Sequence, residues 1–205
     1  TYTGAALSVG VSAILNTLGG QLPLLLTGLW FGAVPAGFVA MAWRVLALPI
    51  SLLGLAVSNV LLGELAQAKL EDPRRCKRMF EEAFKSLVPI GLLLLVLGVT
   101  VSPAAFEVAF GTEWEGAGEV ARAVSPAIAA AFVAGPLRMT LTVLEWYVAS
   151  VLLDAARLVV TLVVAEVLHA NGRTYLITLW GMSISLAVVY LVEILVSWRA
   201  VKTLE

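Results

Sequence analysis

The stretch QAKLEDPRRCKRMFEEAFK, residues 67–85, holds six of the chain's thirteen Lys and Arg residues, and long apolar runs nearly free of charge flank it on both sides. Cytoplasmic loops between membrane crossings retain Lys and Arg, so this pattern marks a loop between two spans. The segment also carries helix signals. Asp72 suits an N-cap, Pro73 the first helical position, and Lys77/Glu81, Arg78/Glu82 and Glu81/Lys85 stand four apart. The spacing predicts a basic amphipathic helix over 73–85. Its Cys76, Phe80, Phe84 and Leu87 share one face, which predicts an interfacial helix running into the next span with a bend at Pro89. Its basic face either lies on anionic membrane lipids or recognises a phosphorylated substrate.

The rest of the composition agrees with a lipid solvent. Hydrophobic residues make up 60% of the chain and charged residues 13%, with a mean hydropathy of +0.98, against roughly 25% charged residues in soluble domains. A span needs about 20 mostly apolar residues. The 205 residues then divide into six predicted helices, at 4–29, 35–67, 86–101, 120–144, 149–169 and 174–197. Turn chemistry marks the breaks: Gly32 with Pro35, Ser102-Pro103, and Asn171-Gly172. Backbone groups in lipid must be paired within a helix or a closed barrel, and little β-branched alternation is present. The expected fold class is therefore an all-α membrane bundle in one domain. Lys69, Arg74, Arg75, Lys77, Arg78, Lys85, Arg199 and Lys202 share one side under this topology, whereas Glu107, Glu113, Glu115 and Glu119 fall on the other. Both termini are expected on the cytoplasmic side of the cytoplasmic (inner) membrane. The chain opens on Thr1 without a basic and apolar leader and reads as a fragment of a longer protein.

Several polar residues interrupt the apolar helices. In the first, Ser12, Asn16, Gly19, Gly20, Pro23 and Thr27 fall within about 100° of one another on a helical wheel. Such a stripe either packs closely against another helix or walls a hydrated cavity. In the second, Gly37, Arg44, Ser51 and Ser58 recur every seven residues, which predicts one inward-facing stripe. Arg44 lies roughly 14 Å inside the apolar segment, too deep to snorkel easily, and should meet water, a carboxylate or an anionic ligand. Arg138 follows Pro126 and Pro136 in the fourth helix, where two prolines imply bending or unwinding. Asp154 and Arg157, three apart in the fifth, can pair on one face or couple an ion. Glu166, His169 and Glu193 sit near helix ends and read as structural.

No Gly-x-Ser-x-Gly elbow, P-loop or His-Glu-x-x-His is present, and the lone Cys76 and His169 offer no metal or haem spacing. No enzyme, cofactor or metal is expected. The one basic run is explained by topology, so nucleic acid is not an expected partner.

Residues 30–68, including FGAVPAGFVAMAWRVLALPISLLGLAVSNVLLGELA, together with Phe110–Arg122, Ser125-Pro126-Ala127 and Asp154-Ala-Ala-Arg157, resemble the polysaccharide (O-antigen) flippase family. That family belongs to the multidrug/oligosaccharidyl-lipid/polysaccharide exporter superfamily. The resemblance is to the C-terminal half. It implies one six-helix half of a pseudo-symmetric twelve-helix transporter that flips a polyprenyl-pyrophosphate-linked oligosaccharide by alternating access. It also implies a partner: the missing N-terminal six-helix half or a second copy. Arg44 matches a cationic position of the family and is the leading candidate to meet a pyrophosphate or acidic sugar, with Arg138 second. Asn16, Ser12, Thr27 and Ser51 are the remaining cavity candidates. Two other classes stay open, a multidrug/cation antiporter half using Asp154 and a nontransporting membrane subunit.

Overall fold

The computed structural model describes residues 2–204, with side chains from residue 10 onward except those of 12, 13 and 73. Among the described residues every regular element is helical, and six helices are long and apolar enough to cross a membrane. The chain is thus an all-helical, multi-pass bundle, as the hydropathy pattern requires.

Helix α1 (Tyr2–Phe31) ends at Gly32, whose φ of 91° lies in the left-handed region that a side chain disfavours. The second crossing is one rod in three parts: α2 (Ala33–Ala42), a π-helical turn (Trp43–Ala47) and α3 (Leu48–Glu71). Pro49 has no N–H to offer. Just before it the ladder slips, and Leu48 N–H bonds the Trp43 carbonyl five residues back.

Asp72 then caps α4 (Pro73–Phe110), its carboxylate accepting from Arg74 N–H at 3.1 Å. The basic helix and the third crossing are one rod of 38 residues, about 57 Å long at 1.5 Å per residue. That exceeds the ~30 Å hydrocarbon layer, so the basic end stands outside it. Its apolar face is not laid on lipid as expected. Cys76 and Phe80 are buried against protein: Cys76 packs with Leu61, Leu65 and Ala68 of α3, and Phe80 with Val201 near the chain's end. Phe80 and Phe84 also meet the Trp198 ring at 6.5 and 6.2 Å. Protein side chains were available to cover this face, whereas Arg74, Arg75, Arg78 and Lys85 remain exposed.

Ser102-Pro103 does not end the third crossing. Pro103 leaves the Val99 carbonyl without its helical donor, and the Nε–H of Arg122 donates to that carbonyl at 2.9 Å from the neighbouring helix. The rod therefore continues to Phe110 and stops at Gly111, φ 94°. After a 3-10 turn (Thr112–Trp114), the fourth crossing begins as α5 (Glu115–Leu137), earlier than the expected residue 120.

Helix α5 is the buried centre, packed against α2, α3, α4 and the last helix, α8 (Tyr175–Lys202). Small residues make this possible. A Cβ on Gly118 would stand 2.6 Å from Pro103 Cα, and one on Gly91 would stand 2.5 Å from a Val133 methyl. Pro126 interrupts the α5 ladder without breaking the helix, and the next residue, Ala127, donates its N–H to Ser183 Oγ of α8 at 3.1 Å. After Pro136 the helix does break, at Arg138, and resumes as a five-residue α6 (Met139–Val143). Glu145, with φ 65°, turns the chain into α7 (Tyr147–Ala170). Lys69 Nζ spans from the end of α3 to this corner, donating to the Val143 carbonyl and to Glu145 Oε1, both at 2.8 Å. The adjacent ammonium holds the Glu145 carboxyl below its ordinary range.

Candidate functional site

Helix α1 leans on α7 and α2, while α3 descends beside α5. Between them opens a cleft of about 640 Å³, within the roughly 300–1,000 Å³ typical of ligand sites. One wall is Asn16, Gly19, Gly20 and Pro23 of α1. The opposite wall is Trp43 and Ala47 of the π turn with Ser51, Gly54, Ser58 and Asn59 of α3. The small and apolar side chains of α5 form the floor, and Arg138, Arg157, Tyr190 and Glu193 close the deep end.

The predicted residues divide. Asn16 and Ser51 line the cleft, with the Gly19, Gly20 and Pro23 of the same α1 stripe. Ser51 spends its hydroxyl proton locally, donating to the Leu48 carbonyl at 2.8 Å. The side chain of Ser12 lies outside the described residues. Thr27 is buried and is not among the residues that line the cleft. Arg44 also departs from the expected stripe. It is exposed, it does not line the cleft, and among the described residues no hydrogen bond or ion pair reaches it. The π turn is the reason: the ladder gains one residue there, so the seven-residue spacing that joins Arg44 to Ser51 and Ser58 no longer places them on one face. Gly37 leaves the stripe with it, exposed and outside the cleft.

Arg138 reaches the cleft and is neutralised there. Its Nη1 donates to Asp154 Oδ1 at 2.7 Å, and its Nη2 contacts Asp154 Oδ2. Arg157 pairs with the same Asp154, as the three-residue spacing predicted, and donates from Nη1 to the Tyr190 hydroxyl at 3.0 Å. Asp154 is thus clasped by two guanidiniums across the α5 break and α7. Glu193 completes the group from α8, its Oε1 standing 3.3 Å from Arg138 Nε. That approach makes an ion pair but is misaligned for a hydrogen bond, and Oε1 has no hydrogen-bond partner. Both guanidiniums of this group are thus engaged by carboxylates. Glu193 is 3% exposed, deep in the bundle although it sits near a helix end.

Sequence reasoning passed over Glu193, Tyr190, Trp43 and Asn59. An ionisable residue inside a predicted span is a site candidate by default, and that rule alone could have kept Glu193. The His169 ring is stacked 4.4 Å from that of Trp30 and edge-on to Phe31 at 5.4 Å. Among the described residues no group of His, Cys, Asp and Glu could hold a metal ion.

A family profile described as polysaccharide biosynthesis protein matches residues 4–119, more than half of the chain. No curated protein and no solved structure matches.

Proposed function

The chain belongs to this polysaccharide biosynthesis protein family, and on that premise we propose that it is a transporting half-bundle, not an enzyme, which moves a polyprenyl-pyrophosphate-linked oligosaccharide across the cytoplasmic membrane by alternating access. The observation that carries this reading is a cleft of about 640 Å³, mainly apolar but with Asn16, Ser51, Asn59, Arg138 and Arg157 in its lining, inside a bundle of six membrane-length helices. A lipid-linked sugar needs such a place for its head, while its tail stays among acyl chains. The cleft lies between α1 and α3, so a head group enters sideways without the tail leaving the bilayer.

A second bundle, the N-terminal half or another copy, completes the enclosure. This bundle rocks against it, opening the cleft to one side and then the other. Both chain ends and the exposed basic end of α4 face the cytoplasm and its anionic lipids. An unpaired Arg in a membrane crossing is unfavourable by at least a few kcal/mol, so Arg44 faces the second bundle and meets the pyrophosphate at that seam. An antiporter using Asp154 is less well supported, because two guanidiniums already occupy that carboxylate. A nontransporting subunit is less well supported, because it gives no role to Arg44, which has no hydrogen bond or ion pair among the described residues.

The test is reconstitution of the chain with its partner bundle into liposomes holding a dye-labelled polyprenyl-pyrophosphate oligosaccharide. A membrane-impermeant quencher should reach nearly the whole pool rather than the outer leaflet alone, and Arg44→Ala should abolish this while inserting normally. Flipping no faster than in empty liposomes, or unaffected by Arg44→Ala, would overturn the proposal.

A further inference from the structure

The guanidiniums in the cleft are already engaged by carboxylates, and that decides which part of a substrate it can take. Arg138 and Arg157 are both committed to Asp154, Arg138 also faces Glu193, and Arg157 donates to Tyr190. A diphosphate entering here would have to displace a buried carboxylate from its cations and then sit beside it. Like charges held that close in a site of low polarity repel strongly.

What the walls do offer is uncharged hydrogen-bonding capacity. Asn16 of α1 and Asn59 of α3 both line the cleft, and among the described residues neither amide has a hydrogen-bond partner. Each amide presents two donors and an acceptor. Pro23 and Pro136 lack an N–H, so the carbonyls of Gly19 and Phe132, both in the lining, lose their helical donors. The Ser51 and Ser58 hydroxyls have donated to their own helix, which leaves lone pairs. The Trp43 ring adds an apolar face of the kind on which the C–H side of a pyranose rests.

We infer that this cleft is a subsite for an uncharged sugar residue, held through its hydroxyls by Asn16, Asn59 and the carbonyls of Gly19 and Phe132. The diphosphate is held elsewhere. This inference rests on the exporter reading and narrows it, since it assigns the neutral glycan, not the anionic linker, to the interior of this bundle.

The experiment uses the full chain in lipid nanodiscs, with Cys76→Ser removing the one native thiol and Ser51→Cys placing a reporter in the cleft wall. Alkylation of the reporter is timed with maltotriose, with inorganic pyrophosphate, and with neither. Maltotriose should slow alkylation by about threefold at twice its dissociation constant, the ratio that competitive occupancy gives, and pyrophosphate should have no effect. Adding Asn16→Ala and Asn59→Ala should restore the unprotected rate, while the rate without sugar, unchanged, shows that the cleft is still folded. Protection by pyrophosphate and not by maltotriose would overturn the inference, as would protection by neither, or a thiol that never reacts. Protection by maltotriose in a protein that flips no lipid-linked glycan would remove the exporter reading and leave the subsite standing.

Discussion

Replacing Asp154 with Asn removes one negative charge and almost no volume from a fully buried position, its side chain 0% exposed. Two guanidiniums then share a neutral amide, with Glu193 3.3 Å from one of them as the nearest remaining anion. Removing one partner of a buried ion pair is destabilising by about 3–5 kcal/mol. Two features pull this case to the lower end of that range. The Arg138 side chain lines the cleft and keeps 16% exposure, so it is not fully desolvated, and a chain unfolded within a membrane also finds polar partners. The expected loss is therefore about 3 kcal/mol, or on the order of 10 °C in Tm for a chain of this size. Thermal unfolding in nanodiscs, followed by intrinsic fluorescence, reads it directly. A double variant adding Arg157→Gln should lose less than the sum of the two singles by about 1 kcal/mol or more, because one unpaired cation is removed with its partner. An Asp154→Asn protein as stable as the original, or strict additivity in the double variant, would refute the network as a stabilising unit.

Three further outcomes follow from local geometry. Gly118→Ala should be destabilising by about 1–3 kcal/mol, since its Cβ would meet Pro103 Cα at 2.6 Å and two backbones must part; Gly63→Ala, with open space around it, should be neutral or stabilising by up to about 1 kcal/mol. Arg122→Ala should be destabilising by about 1–3 kcal/mol by stranding the Val99 carbonyl, and Pro103→Ala should recover part of that loss by returning an N–H to the helix, which thermal melts of the single and double variants would show. The Glu145 carboxyl is held below its ordinary range by Lys69, so the link between α3 and the α6–α7 corner is fully present above the ordinary Glu range and fades as pH falls through the lowered folded value; limited proteolysis at that corner should rise on acidification, and Glu145→Gln should show the raised cleavage at every pH.

What the sequence disclosed was local. Apolar run length gave six crossings, Asp72-Pro73 gave the start of α4, and a 100° wheel placed Asn16, Gly20 and Pro23 on one face of α1. Each of these depends on residues within a few turns of one another. The misreadings depend on partners far along the chain. Pro103 looks like a terminator until Arg122 supplies the missing donor. Cys76, Phe80 and Phe84 look like a membrane-facing stripe until Leu65, Val201 and Trp198 cover them. Arg44 is a different case, because a π turn beside Pro49 shifted the register on which its heptad argument stood, and Pro49 was a visible warning. The ion network was half legible. Asp154 and Arg157 share a helix face, whereas Arg138 and Glu193 arrive from a helix break and from α8, where no periodicity in one segment could announce them.

Transport through this bundle requires the space between α1 and α3 to hold water. Ser51 and Leu52 are neighbours on α3 and both are exposed, but only Ser51 lines the cleft. In intact nanodiscs a charged, membrane-impermeant thiol reagent should therefore modify Ser51→Cys readily and leave Leu52→Cys, which is exposed on the outside of a membrane crossing and away from the cleft, essentially untouched. Equal inertness of the two thiols would mean the cleft is filled by lipid or closed, and the transport account would be contradicted.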